Sequence, residues 1–225
     1  VSKKEKKSFG KWIALFWSIF FLGIGLSIFL LYASANVILG FDPLPTFEQL
    51  ENPKSNLATE VYTEDREILG KYFYQNRVNV QYEDLDTNLV NALIATEDER
   101  YYEHSGVDLK GLARAVLNFG KSGGASTITQ QLSKMLFSAA PKNTIERLMQ
   151  KMQEWIISAQ LERRYTKNEI VAMYFNRFDF INNAVGIKSA ANVYFDSNPD
   201  SLRIEQAAML VGMLKNPSLF NPLRF

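Results

Sequence analysis

The chain of 225 residues has no cysteine and a single histidine. The first absence excludes disulfide staples, thiolate zinc sites and a cysteine nucleophile together. The second leaves any histidine-based metal site without another imidazole, so no metal site is expected. Charge of one sign is lacking too: 25 Lys and Arg stand against 24 Asp and Glu, for a net charge of +1. A nucleic-acid binder needs clustered cations beyond such a balance, so nucleic acid is not an expected partner. Internal repeats and low-complexity segments are also missing. What remains is a chain that is 47% hydrophobic, enough to bury a sizeable core and too much for a disordered protein.

The longest apolar run, Trp12 to Tyr32, reads WIALFWSIFFLGIGLSIFLLY and contains no charged residue. About 20 apolar residues suffice to cross a bilayer as a helix. Lys3, Lys4, Lys6, Lys7 and Lys11 precede it against the single acid Glu5, whereas Asp42, Glu48, Glu51 and Glu60 follow it against Lys54. That asymmetry predicts a cytoplasmic N-terminus and a single pass. A cleaved signal peptide has an apolar region of only about 7 to 15 residues, so the run reads as an uncleaved anchor, although Ala33-Ser34-Ala35 resembles a cleavage site.

Five segments are expected: a cytoplasmic tail (1–11), a transmembrane anchor (12–32), an extended proline-containing connector (33–57), a small β region (58–85) and a mainly helical domain (86–225). The β region rests on two β-prone runs, with Val78, Val80 and Tyr82 alternating in the second. Helices are expected in NLVNALIATEDE, LARAVLNF, ERLMQKMQEWIISAQLERRY, EIVAMYF and SLRIEQAAMLVGML. Thr166 and Glu169 form a capping-box pattern directly before Ile170, which predicts a helix start there. The abrupt ending in NPLRF reads as a fragment of a longer protein.

Three clusters carry candidate chemistry. The first, Ala95 to Gly106, gathers Glu97, Asp98, Glu99 and Glu103 at the C-terminal end of an apolar helix, where acids oppose the helix dipole and need another reason to be present. A carboxylate leaving a buried helix end into a cleft suits a general base, while a solvated helix end explains the same residues. The second, Gly123 to Lys134, places Ser126, Thr127, Gln130, Gln131 and Lys134 after glycines, which suits a helix N-terminus receiving an anion; a polar loop before a capped helix explains it equally. A P-loop reading of Gly120-Lys121-Ser122 fails, because Ala115 stands where the motif requires glycine. The third, Arg147, Lys151 and Glu154, lies on one helical face, as a diphosphate site or an ordinary solvated salt-bridge stripe would.

In this order and spacing the segments resemble the glycosyltransferase domain of class A penicillin-binding proteins and their monofunctional relatives, glycosyltransferase family 51, from roughly Leu57 to Phe225. The pattern ATED-x-x-[FY]-x-x-H-x-G appears as Ala95 to Gly106, and G-x-STITQQ-x-x-K as Gly124 to Lys134. K-x-x-E appears at Lys151 to Glu154, Y-[TS]-K-x-E-I-x-x-x-Y-x-N at Tyr165 to Asn176, and L-x-G-x-x-K-x-P-S-x-[FY]-NP from Leu210 to Pro222.

The resemblance implies a mainly α, lysozyme-like head with a membrane-dipping jaw over about 112–145. It implies polymerisation of lipid II into β-1,4-linked glycan with inversion and release of undecaprenyl diphosphate, by the N-terminal part of a bifunctional penicillin-binding protein. The partners implied are lipid II, the growing strand, the bacterial inner membrane and other cell-wall synthesis proteins, with the catalytic domain on the outer face.

By the same resemblance Glu97 matches the general base, and Asp98 and His104 match positions that shape its surroundings. Ser126, Thr127, Gln130, Gln131 and Lys134 match the donor-side lining, with Lys134 toward the diphosphate. Lys151 and Glu154 match the third motif, the glutamate acting on the leaving-group side or on a bound cation; no cofactor is required, and a divalent cation such as Mg²⁺ is compatible. Asn176 closes the fourth motif and is counted with the substrate-binding residues. The chain departs from the family by carrying Gln150-Lys151 for the usual Arg-Lys, which shifts part of the expected diphosphate charge to Lys142 or Arg147. It departs again after Asn176, where Arg177-Phe178-Asp179-Phe180 replaces the usual continuation. A lysozyme-like glycan hydrolase and a non-catalytic anchored scaffold are the competing readings.

Overall fold

The computed structural model describes residues 9–35, 44–51, 59–62, 65, 68–72, 79–117 and 124–224. It divides into two compact units, residues 1–44 with 141–153, and residues 45–140 with 154–225. Among the described residues the elements are overwhelmingly helical.

In the first unit, α1 (Phe9–Ala35) is a helix whose large apolar side chains point outward all round, with Trp12, Phe16, Trp17, Phe20, Phe21 and Leu22 exposed. Helical spacing stacks Phe16 on Phe20 at 6.4 Å and Trp17 on Phe21 at 5.7 Å. The expected anchor, Trp12 to Tyr32, falls inside α1, and its side chains are described without interruption only from Gly10 to Leu26. Among the described residues no helix is long and apolar enough to cross a membrane. The cytoplasmic tail up to Ser8 lies outside the described residues. The other part of this unit holds the start of α6 (Thr144–Leu161), where the Asn143 side chain accepts the Glu146 amide at 2.8 Å and so caps the helix.

The second unit begins with α2 (Phe47–Glu51), a short helix within what the sequence presents as an extended connector. The reason is local: Thr46 and Gln49 exchange side-chain and backbone hydrogen bonds, a capping box that starts a turn, and Leu50 is then buried. In the expected β region, β1 (Thr59–Tyr62) pairs antiparallel with β2 (Ile68–Tyr72). The alternation expected at Val78, Val80 and Tyr82 does not make a strand where it is described. Val80 is irregular, and Tyr82–Asp84 is a turn of 3-10 helix, because Asp84 folds back to accept the Gln81 amide at 2.8 Å. Val78 lies outside the described residues.

The helical body follows as α3 (Thr87–Glu97), α4 (Leu109–Leu117), α5 (Ile128–Phe137), the end of α6, α7 (Lys167–Arg177), α8 (Ile187–Phe195) and α9 (Ile204–Lys215). α3 packs on α9 and α5 on α7. Leu89 and Leu93 on α3 and Leu210 and Met213 on α9 are fully buried, as are Ile128 and Leu132 on α5 and Ile170, Val171, Tyr174 and Phe175 on α7. Spacings of three and four residues put each set on one helix face, and each fully buried side chain of this size contributes roughly 1.5–3 kcal/mol. α6 ends at Leu161, so the expected continuation through Tyr165 is a turn; Thr166 and Glu169 then start α7 with both capping-box bonds formed. α8 was not apparent from periodicity, since Ser189, Ala190 and Ala191 give little apolar contrast, yet they are buried.

A polar knot ties these helices together. Lys167, at the start of α7, donates to the Glu162 carboxylate and to the His104 carbonyl, both at 2.8 Å, and its ammonium lies 4.2 Å from the Tyr101 ring centre. Glu162 also accepts from the Thr129 hydroxyl, and the Tyr101 hydroxyl donates to the Lys167 carbonyl. Burial, reinforced by the Glu162 charge, pushes the Tyr101 hydroxyl far above its ordinary pKa, so it stays a donor.

Candidate active site

The second unit contains a cleft, open to solvent, at the end of α3. Glu97, Asp98, Glu99, Arg100, Asp108, Arg114 and the segment Gly124 to Thr127 line it. Sequence reasoning placed Glu97, Asp98, Ser126 and Thr127 in one site, and the fold brings them together.

Glu97 is the last residue of α3 and half-buried. Its Oε2 accepts the side-chain amide of Gln131 on α5 at 2.7 Å, and the amide oxygen of Gln131 accepts the Tyr174 hydroxyl of α7 at 3.0 Å. The adjacent Asp98 points elsewhere. It is 7% exposed, lies 3.0 and 3.1 Å from Nε2 of His104, and accepts the backbone amide of Ile128 at the first turn of α5. That answers why an acid stands at the unfavourable end of α3: the same carboxylate occupies the favourable end of α5. Glu97, Asp98 and Glu99 all line the cleft, and of the three Asp98 is the one bound to His104 and the start of α5. The other ring nitrogen of His104 is buried without a hydrogen-bond partner among the described residues.

The loop holding this arrangement turns on Gly106, whose φ of +88° suits glycine and whose missing side chain lets α6 approach; a Cβ there would meet the Ser158 carbonyl at 2.8 Å. The Gly106 carbonyl accepts the Thr127 hydroxyl at 2.7 Å and the Gln130 amide at 3.3 Å. Thr127 also caps α5 by accepting the Gln130 backbone amide at 3.2 Å. Thr127 and Gln130 are almost fully buried, so their side chains hold the loop against the helix.

Arg100, Asp108 and Arg114 line the cleft and were not singled out in the sequence. Arg100 pairs with Asp108, which raises the guanidinium pKa. Burial would push the Asp108 carboxyl up, but the Gly111 amide at 3.0 Å and the Arg100 guanidinium outweigh it and hold the carboxyl below its usual range. The available signal was Asp108-x-x-Gly111 ahead of an apolar helix, an N-cap pattern that fixes where Arg114 projects.

Within the second unit, Lys134, Glu154 and Asn176 are not among the described residues that line this cleft. Lys134 on α5 is exposed and Glu154 on α6 is 4% exposed, and neither is among the lining residues. The Glu154 carbonyl accepts from Ser133 and Ser158. The Asn176 amide is turned to structure: its oxygen accepts the Val80 N–H at 2.9 Å and its nitrogen donates to the Val80 carbonyl at 2.8 Å, pinning the segment before α3 to α7. Lys142, Arg147 and Lys151 belong to the first unit, with Lys142 and Arg147 exposed and Lys151 half-buried. Among the described residues no three His, Asp or Glu are grouped to hold a metal ion.

A sequence model of the family described as Transglycosylase matches residues 65–225. Penicillin-binding protein 1A of Escherichia coli (strain K12) is 37% identical over 184 residues, which cover 80% of this chain and 21% of the relative. The protein of the same name from Neisseria gonorrhoeae is 33% identical over 222 residues, 97% of this chain and 27% of its own. That from Neisseria lactamica is 37% identical over 209 residues, 91% and 26% respectively. The chain thus spans about a quarter of the length of the curated relatives it matches.

Proposed function

Because the chain belongs to the transglycosylase family, we propose that it is the peptidoglycan glycosyltransferase part of a bifunctional class A penicillin-binding protein. Its substrates are lipid II and the growing glycan strand, and it works at the outer face of the bacterial cytoplasmic membrane with α1 as a single-pass anchor. The observation that carries this reading is Glu97, held at the rim of an open polar cleft by the Gln131 amide while its neighbour Asp98 is occupied by His104 and the start of α5.

Glu97 takes the proton from the 4-hydroxyl of the acceptor sugar as that oxygen attacks the anomeric carbon of the donor. The bond from that carbon to the diphosphate oxygen breaks, the configuration inverts, and undecaprenyl diphosphate leaves with the electron pair. Cations stabilise the charge developing on the diphosphate. By family position Lys134 and Lys151 supply them, with Lys142 or Arg147 taking over the charge of the arginine that Gln150 replaces, Glu154 on the leaving-group side and Ser126 beside the donor. Thr127, Gln130 and Asn176 act by holding the loops that frame the cleft, since their side chains are bound to backbone groups. No cofactor is required, and a divalent cation such as Mg²⁺ beside Glu154 and the diphosphate is compatible with this reading.

The test is polymer formation from lipid II in liposomes. The wild-type chain makes lysozyme-sensitive polymer, and Glu97→Gln is slower by about 10²–10⁴, the range expected for loss of a general base. A folded wild-type chain that makes no polymer, or a Glu97→Gln variant as fast as wild type, refutes the reading.

A further inference from the structure

Glu97 does not reach its partner unaided. Gln131 presents an amide with two ends of nearly equal size and opposite chemistry, and only the nitrogen end donates to a carboxylate. The end that faces away, Oε1, accepts the Tyr174 hydroxyl at 3.0 Å, while Nε2 donates to Glu97 at 2.7 Å. The three groups form a directed series from α7 through α5 to the end of α3. Tyr174 is fully buried, and its ring stacks on Phe178 at 6.4 Å and meets Phe175 edge-on at 6.1 Å, so the hydroxyl is fixed by packing. Burial, and secondarily the Glu97 charge, push that hydroxyl far above its ordinary pKa, so it stays protonated and cannot act as an anion toward the amide.

We propose that Tyr174 is a positioning residue for the reacting carboxylate, acting through Gln131: its hydroxyl holds the amide with the nitrogen toward Glu97, which commits Oε2 and leaves Oε1 to take the acceptor proton. The inference rests on Glu97 being the base. Hydrogen bonds in series also polarise one another, so the hydroxyl strengthens the amide as a donor to the carboxylate. Phe at position 174 preserves the ring and its stacking while removing the donor. Met at position 131 preserves length while removing both ends of the amide.

The experiment uses the whole chain in detergent, with wild type, Tyr174→Phe, Gln131→Met and the double variant assayed for lipid II polymerisation, and the Gln131 side-chain amide followed by ¹H–¹⁵N NMR. Tyr174→Phe should lower kcat about tenfold with KM within about twofold, as expected when orientation and not binding is lost. In the Gln131→Met background the same substitution should cost less than about twofold, since a residue that acts through Gln131 has nothing left to act on. The Gln131 amide signals should move in Tyr174→Phe and again in Glu97→Gln. An unchanged kcat in Tyr174→Phe, effects of the two substitutions that multiply in full, or amide signals that stay in place each overturn the proposal. If the wild type makes no polymer, the glycosyltransferase reading falls and the amide signals alone decide: movement supports the series of bonds, and no movement ends it.

Discussion

At the scale of the residue, motif membership and chemical role separate. Thr127 and Asn176 sit in segments that resemble the family's motifs, yet their side chains are spent on backbone carbonyls and amides, and Gln130 gives its amide nitrogen to the Gly106 carbonyl. Gly106 shows the converse, a residue with no functional group on which the site depends. Gly106→Ala imposes a positive φ on alanine and drives its Cβ against the α6 backbone at Ser158. Together these should destabilise the second unit by about 2–4 kcal/mol, read as a lower urea midpoint. A midpoint unchanged from wild type would show that the loop and α6 are not in contact in solution.

At the scale of the element, local chemistry decides most boundaries. The Thr166 and Glu169 pair starts α7, and the Glu169 carboxyl is held below its usual range by the Thr166 backbone amide first and its hydroxyl second. A depressed pKa means that the contribution is present above the unfolded value of 4.5 and is lost as pH falls through the folded value. Thr166→Ala should therefore cost about 1 kcal/mol at neutral pH. The gap between variant and wild type should narrow in urea titrations repeated below the unfolded Glu169 pKa. A gap that widens in acid would contradict the capping account. Elements without such local signals differ from what periodicity predicts. Val80 and Tyr82 alternate as a strand would, but the Asp84 carboxylate and the Asn176 amide claim the backbone there, and α8 is built of small residues that carry no period.

For the whole molecule, α1 is distinctive because its large apolar side chains are exposed on every side of the helix, from Trp12 to Tyr32 where they are described. A helix apolar on every side needs an apolar surrounding. If α1 is the proposed anchor, the chain should float with liposomes and resist alkaline carbonate extraction. Replacing both Phe20 and Leu22 by Arg should release it, because each arginine at mid-helix costs roughly 2.5–3.5 kcal/mol on insertion scales. Extraction of the wild type by carbonate would count against the anchor.

The sequence by itself determined the helical class of the second unit's main body and the start of α7. Both depend on periodicity or capping, whose physics acts over a few residues. Only the tertiary structure decided which partners each of two adjacent carboxylates takes. That choice depends on His104 and the first turn of α5 claiming Asp98, and on Gln131 and Tyr174 claiming one oxygen of Glu97. The inclusion of Arg100, Asp108 and Arg114 and the structural duty of Asn176 were likewise decided by tertiary contacts. Val80 and Asn176 are 96 positions apart, and no local pattern encodes a hydrogen bond across such a distance.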